Sequence, residues 1–269
     1  MLRRGLLLGL LLLSLPAHAE DRAPAHLAFA VYAAGLNVLN IDADVDLGGP
    51  AYRIDLHYRT AGVFGTLVRS EINSFVMGSW DGLKPAPSRF ASWGHLRGAA
   101  RRTVIDYVRG QPVIRELEPM TEPDRDPVPE AMQRDTVDTL SAMAALVRTV
   151  AATGNCAGRL VSFDGRRVNE INARQAGEET LGGEYRSIFN GPALRCDFDG
   201  RQLAGFQRDA SEEELKKIHR SSAWLARVLP GAPALPVRIV FETRFFGHAT
   251  AYLTQAGPLG AVTAVARPR

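Results

Sequence analysis

The first half of the chain alternates between apolar and polar positions with a period of two. Residues 41–47 alternate apolar side chains with aspartates, and residues 52–59 alternate them with Arg, Asp and His. This pattern is typical of antiparallel strands with one buried and one solvent-facing side. Strand patterns do not alternate with helix patterns here, so a parallel sheet is not predicted. Further strands are predicted at 66–80, 89–95, 103–107 and 113–117.

A proline-rich connection then leads to the apolar segment 135–156. Its apolar residues recur at helical spacing, and only Asp138 and Arg148 are charged inside the segment. A segment that is apolar nearly all round predicts a buried helix. Asp135 or Thr136 can cap its start, Asp138 places negative charge in its first turn, and Gly154 ends it.

The second half returns to strand patterns. A hairpin is predicted around Asp164-Gly165, and strands are predicted at 184–189 and 193–198, the latter followed by a second Asp-Gly turn at 199–200. Ser211 begins a capping box that predicts a second, amphipathic helix to about residue 229. Two closing strands are predicted between 237 and 253.

These elements predict a mainly β protein. One long antiparallel curved sheet, or half-barrel, wraps one buried helix, and the second helix lies on the surface. Residues 20–269 are predicted to be a single β-rich domain, since chains of this length commonly form one.

Residues 1–19 have the three regions of a secretory signal peptide. Two arginines precede an apolar run at 6–15, and Ala17-His18-Ala19 has the small-x-small pattern of a cleavage site. The run of about ten apolar residues is too short to cross a bilayer core of roughly 30 Å as a helix. We therefore predict a periplasmic protein that is cleaved after Ala19 and does not span the membrane.

The charge of the mature chain argues against nucleic acid as a partner. Residues 1–19 include two of the 32 basic residues and none of the 29 acidic ones, so the mature net charge is only +1. Such a chain has no excess of positive charge for phosphates.

Cys156 and Cys196 are the only two cysteines. Two lone cysteines in an exported protein most often form a disulfide, which is our prediction. A metal-binding pair or a reactive thiol are the alternatives.

No motif of a catalytic site is present. The mature chain contains no Gly-x-Ser-x-Gly elbow and no Gly-rich phosphate loop, and Asp124-x-Asp126 lacks the rest of an EF-hand. The five histidines have no metal-ligand spacing to another His, Asp or Glu: His26, His57, His95, His219 and His248. We predict that the protein is not an enzyme, with no catalytic residue, metal or cofactor.

Four motifs connect this chain to a known family. In order, they are Tyr32-x-x-Gly35 in an early strand, Asp138-Thr139-Leu140-Ser141 at the helix start, Phe163-Asp164-Gly165-Arg166-Arg167-Val168 between the cysteines, and Pro236-Val237-x-Ile239 leading to Phe246-Gly247 and Ala251-Tyr252-Leu253. With these motifs the chain resembles the bacterial envelope family called domain of unknown function 3108. The resemblance implies a periplasmic protein whose antiparallel sheet curls around a helix, similar to the half-barrel of lipoprotein carriers. It implies no reaction.

The leading functional hypothesis is binding or carriage of an apolar envelope molecule, such as a lipid or acyl chain, between sheet and helix. Aromatic residues concentrate in the first sheet, where they either fill the core or line such a cavity. The alternatives are a scaffolding protein of the envelope with a packed core and a protein partner, and a periplasmic hydrolase. The predicted cavity-lining residues are Tyr52, Ile54, Leu56, Tyr58, Leu140, Ala144 and Val147.

Overall fold

The structure of the protein, a computed structural model, describes residues 23–243 and 247–260. The predicted signal peptide therefore lies outside the described residues. The strands are β1 Ala25–Ala33, β2 Leu36–Asp46, β3 Ala51–Thr60, β4 Glu71–Asp81, β5 Lys84–Leu96, β6 Ala99–Val108, β7 Gln111–Glu118, β8 Gly158–Phe163, β9 Val168–Leu181, β10 Gly191–Ala204, β11 His219–Ala226, β12 Leu235–Glu242 and β13 His248–Pro258. The helices are α1 Gly62–Leu67, α2 Glu130–Gln133, α3 Thr139–Thr153 and α4 Glu212–Lys216.

All of these strands belong to one antiparallel sheet. Its order is β7-β6-β5-β4-β3-β2-β1-β13-β12-β11-β10-β9-β8, so β1 and β13 pair in the middle and successive hairpins extend to either side. β7 and β8 are the two edges, and they do not pair with each other within the described ranges. The predicted mainly β, antiparallel architecture is confirmed.

The sheet curls around α3. The helix contacts β3, β4 and β5 near one edge of the sheet, and it also contacts β8, which is the opposite edge. One helix can touch both ends of a long sheet only if the sheet is strongly curved. Seven of the helix's 15 residues are buried, which confirms the predicted buried helix.

The ends of α3 are defined by two specific residues. The Asp138 side chain accepts a hydrogen bond from the backbone N–H of Ser141 and caps the start, and Gly154 ends the helix in the left-handed conformation at φ 68°. The expected cap at Asp135 or Thr136 was wrong by two or three residues. Asp135 has a positive φ of 56°, and the Thr136 hydroxyl donates to the Gln133 carbonyl.

Two short contacts bring the sheet's edges towards each other through the segment between β7 and α3. Val137 forms a parallel bridge with Ser162 of β8, and Arg125 forms an antiparallel bridge with Gln207, which follows β10. The segment that follows edge strand β7 is thus joined to β8, the other edge strand, and to the chain just after β10.

The predicted disulfide is confirmed. Cys156 and Cys196 are bonded, with their Cα atoms 6.1 Å apart. Both are fully buried, and the bond joins the chain just after α3 to β10.

The second predicted helix is correct only at its start. Ser211 and Glu214 form the predicted capping box, and the short α4 that follows has no buried residue. The helix ends at Lys216, and the remaining predicted part forms β11 between β10 and β12. Residues 223–226 are all buried in this strand, so sheet pairing and burial override the local helix pattern.

Two strand predictions and one turn prediction also differ from the structure. The predicted strand at 184–189 is a turn region, and the predicted run from residue 66 is divided into α1 and β4. The predicted turn at 199–200 lies inside β10, because residues on both sides of it continue to pair with β9.

Candidate functional site on the inner face of the sheet

The inner face of the sheet is the side that α3 covers. In an antiparallel pair, residues directly opposite each other point to the same side. Ile54 pairs with Val76, and Val76 pairs with Phe90. All three belong to the core cluster that includes the buried residues of α3. Even-numbered residues of β3 therefore point inward.

The predicted cavity-lining residues fall into two groups. Five are buried in the core where helix and sheet pack together: Tyr52, Ile54, Leu140, Ala144 and Val147. Leu56 and Tyr58 lie further along β3 and are only partly buried. Along β3, the inner face is therefore partly exposed from Leu56 onward. The role of all seven in holding a ligand stays a prediction.

Beyond the part covered by α3, the inner face keeps partly exposed apolar side chains. We call this set the open inner face: Leu39, Ile41, Leu56, Tyr58, Ile239 and Phe241. Four of its members lie on β2 and β3, and the other two lie on β12. The sequence prediction included only Leu56 and Tyr58. The pairing of β1 with β13, which brings β12 close to β2 and β3, was not apparent from local patterns.

The register of the sheet joins these two groups across its centre. Leu39 pairs with Val31, Val31 with Ala251, and Ala251 with Ile239. In the adjoining row, Phe241 pairs with Ala249, and Ala249 pairs with Ala33 of β1. Ala33, Ala249 and Ala251 are small and fully buried. The sheet surface between the two groups is therefore apolar, and no large side chain from these positions projects above it.

α1 adds apolar side chains at the same end of the sheet. The N–H of Ala61, which precedes α1, donates to the Val38 carbonyl of β2. Val63 and Leu67 of α1 are 71% and 79% exposed, and Leu36 at the start of β2 is 62% exposed. The rim of the open inner face is therefore apolar too.

The turn between β8 and β9 reaches the inner face from the opposite edge. Asp164 accepts hydrogen bonds from the backbone N–H groups of Arg166 and Arg167 at 2.9 and 2.7 Å. Gly165 has φ +92°, and a Cβ there would lie 2.7 Å from the Thr103 side chain. Thr103 belongs to the inner row that contains Leu56, so the turn packs against the inner side of β6.

This turn delivers Arg166 into a charged group that we call the arginine cluster: Arg101, Glu122, Arg125 and Arg166. Glu122 Oε1 lies 2.6 Å from Arg101 Nη1 and 3.3 Å from Arg166 Nη1, and Glu122 Oε2 accepts from Arg125 Nε at 2.9 Å. Burial opposes ionisation of Glu122, but the hydrogen bond from Arg125 and the charges of Arg166 and Arg101 hold its pKa below the ordinary value.

A second polar group is enclosed under the start of α3. Ser141 Oγ lies 2.5 Å from Asp138 Oδ2 and 2.7 Å from the Tyr52 hydroxyl. Burial raises the pKa of Asp138 to about 6, although hydrogen bonds from Ser141 oppose this shift. Nearby, burial and the charge of Asp138 raise the pKa of Tyr107, whose hydroxyl is buried without a hydrogen-bond partner in the described structure. The network is closed to solvent, and we assign it a structural role.

The histidines lie apart from one another. His26 Nδ1 is 2.6 Å from Asp44, and His57 Nε2 is 3.0 Å from Glu71. Within residues 23–243 and 247–260, no three His, Cys, Asp or Glu side chains are grouped as a metal site would require.

Two depressions occur outside the open inner face. One of about 480 Å³ lies beside α4 and includes Leu203, Phe206 and Leu215. Another of about 230 Å³ lies on the outer face of β4–β6, between Phe75, Trp93 and Arg89. No residue predicted to line a cavity borders either one.

The sequence matches the family described as protein of unknown function (DUF3108) over residues 28–254. The chain belongs to this family. The match spans β1 to β13 almost completely, so the whole curved sheet is the family's domain. The resemblance expected from the four motifs is confirmed. No curated protein sequence matches this DUF3108 chain.

Two solved structures are similar to this DUF3108 protein. A β-barrel-like protein of domain of unknown function DUF1849 from Brucella abortus has a TM-score of 0.55 at 10% identity, covering 88% of this chain and 98% of the other. A candidate lipoprotein from Parabacteroides distasonis has a TM-score of 0.34 at 8% identity, covering 88% and 96%. The first likeness supports the fold of the DUF3108 chain.

Among the helices in the described part of the DUF3108 chain, none has the length and apolar character needed to cross a bilayer. The disulfide is typical of proteins in oxidising compartments and agrees with an exported protein.

Proposed function

We propose that this DUF3108 protein is a non-enzymatic periplasmic protein that binds or carries an apolar envelope molecule, such as a lipid or acyl chain, on the open inner face. The observation that carries the proposal is the contrast along the inner face. One end is filled by α3, whereas the other keeps six apolar side chains partly exposed. Apolar side chains on a concave surface are what a pocket for an apolar ligand requires.

The apolar rim supports the same function. Val63, Leu67 and Leu36 expose apolar surface next to the open inner face. A molecule that leaves a membrane or another carrier would pass over apolar side chains before it reaches the inner face. Exposed apolar patches of this kind are typical of interaction sites.

The ligand proposal predicts that polar substitutions on the inner face weaken binding. Ile41→Asn and Leu56→Asn should each lower the affinity of delipidated protein for a fluorescent fatty acid, such as cis-parinaric acid, by about tenfold. Such a loss corresponds to the burial of part of one aliphatic side chain, about 1.4 kcal/mol. The measurement is a fluorescence titration.

Met77→Asn is the matched control, because Met77 is partly exposed on β4 but points to the outer face, pairing with Arg89. It should bind as the unaltered protein does. If delipidated protein takes up neither the probe nor extracted envelope lipid, the proposed function is wrong, and a scaffolding role with a protein partner becomes the better explanation.

Export makes a separate prediction. Protein isolated from the periplasmic fraction should begin at Glu20, because the signal peptide is proposed to be cleaved after Ala19. Intact-mass measurement checks the N-terminus. Ala19→Arg should block cleavage and leave the precursor in the membrane fraction. A mature protein that retains Met1 would contradict the prediction.

A further inference from the structure

The arginine cluster holds more positive charge than its carboxylate balances. Arg101, Arg125 and Arg166 surround the single carboxylate of Glu122, which leaves two positive charges in excess. None of these side chains is more than 29% exposed. Burial of unbalanced charge is unfavourable unless another group compensates it.

The hydrogen-bond donors of the cluster are not all used. Arg101 Nε is buried and has no hydrogen-bond partner among the described residues. Burial lowers the pKa of Arg166, and the charges of Arg101 and Arg125 act in the same direction, whereas the charges of Glu122 and Asp164 oppose this shift. Both observations indicate a site that favours a further anion.

One member of the cluster, on β6, shares an inward-facing row with the open inner face, whose nearest member in that row lies on β3. Arg101 pairs with Gly94, Gly94 with Ile72, and Ile72 with Tyr58, so Arg101 and Tyr58 lie in one inward-facing row. The same row continues from Tyr58 to Ile41.

The turn that supplies Arg166 also approaches Tyr58. The pKa of Tyr58 is raised by burial, and the positive charge of Arg167 opposes that increase. Of two neighbouring arginines in this turn, Arg166 joins the cluster, and Arg167, which pairs with Asp164, acts electrostatically on Tyr58. One side of the open inner face is cationic, whereas its floor is apolar.

We propose that the arginine cluster binds the anionic head group, a carboxylate or a phosphate, of an amphiphile whose apolar chain lies on the open inner face. The inference rests on the proposed function and names its ligand class. Guanidinium groups present planar, paired donors that match both carboxylate and phosphate oxygens. Glu122 holds the three arginines together, and it competes with the head group for their donors.

The test compares ligands that share a chain but differ in their head groups. Lauric acid, dodecyl phosphate and uncharged dodecanol should displace a bound fluorescent fatty acid from the mature protein. We expect the two anionic ligands to bind at least about tenfold more tightly than dodecanol, as charge-assisted hydrogen bonds predict. The ratio between lauric acid and dodecyl phosphate distinguishes carboxylate from phosphate as the preferred head group.

Substitutions then locate the effect. Arg101→Gln should remove the preference for anionic ligands while dodecanol binds unchanged. Arg102→Gln is the matched control, since Arg102 is the next residue of β6, points to the outer face and forms an ion pair with the Glu116 side chain. Glu122→Gln should tighten the binding of lauric acid severalfold, because it removes the competing carboxylate.

The outcomes separate this inference from the proposed function. Equal affinities for lauric acid and dodecanol, with both weakened by Ile41→Asn, would overturn the head-group site and leave the apolar site intact. Binding of none of the three ligands would overturn both. If Arg101→Gln does not fold, as judged by its thermal transition, Glu122→Gln decides, and weaker or unchanged binding of lauric acid by that variant overturns the inference.

Discussion

Asp138 combines a helix cap with a fully buried carboxyl group. Its side chain accepts from the N–H of Ser141 and contacts the Ser141 hydroxyl, which also contacts Tyr52. The sequence predicted negative charge in this turn, but not the network, because Tyr52 lies 89 residues away from Ser141. Long-range polar contacts of this kind leave no local pattern.

Asp138 should make the stability of the fold depend on pH. Burial raises its pKa from 3.8 to about 6, so the folded state binds the proton more tightly than the unfolded state does. Its contribution is therefore fully present below pH 4 and is lost as the pH rises through about 6, by about 2–3 kcal/mol at most.

Asp138→Asn removes this titration and keeps a capping side chain. Urea unfolding between pH 4 and 7 should show a smaller fall in the free energy of unfolding for this variant than for the unaltered protein. Asp209→Asn, at an exposed position, should follow the unaltered protein. Parallel pH profiles for Asp138→Asn and the unaltered protein would contradict the prediction.

At the scale of single elements, identical local signals led to different structures. Asp164-Gly165 begins a turn, whereas Asp199-Gly200 continues a strand whose neighbours on β9 and β11 pair on both sides of it. The capping box at Ser211 does begin a helix, but burial in the sheet ends it within two turns. In both cases pairing with distant strands, rather than the local signal, determined how far the element extends.

The disulfide connects the chain just after α3 to β10, and its loss should destabilise the fold. The bond closes a loop of 40 residues that runs from α3 to β10. A double Cys156→Ser, Cys196→Ser variant should lose about 4 kcal/mol by the chain-entropy relation, or less where the unfolded chain keeps structure.

Chemical denaturation of the variant and the unaltered protein measures this loss. Reduction of the unaltered protein is the matched control and should lower its stability by a similar amount. Two free thiols in the purified protein under non-reducing conditions would contradict the bond itself.

At the scale of the whole molecule, the sequence predicted an antiparallel sheet around a buried helix but not the position of the open inner face. The predicted cavity lay between helix and sheet, where Ala144 and Val147 pack closely against the core. The open inner face instead depends on β12 lying two strands from β1, and the arginine cluster depends on a turn crossing from the other edge. Such juxtapositions arise from curvature, which no window of sequence contains.

The pairing of β1 with β13 has a consequence for how the protein forms. Each half of the sheet consists of hairpins between consecutive strands, which can form as soon as their residues are available. One edge of β1 pairs with β2, and the other edge pairs with residues 249–258 of β13. The second edge therefore stays unpaired until the last strand of the sheet has been synthesised and has folded. We expect the two half-sheets to form first and to join late, with a β1 edge that is exposed to wrong pairing in the meantime.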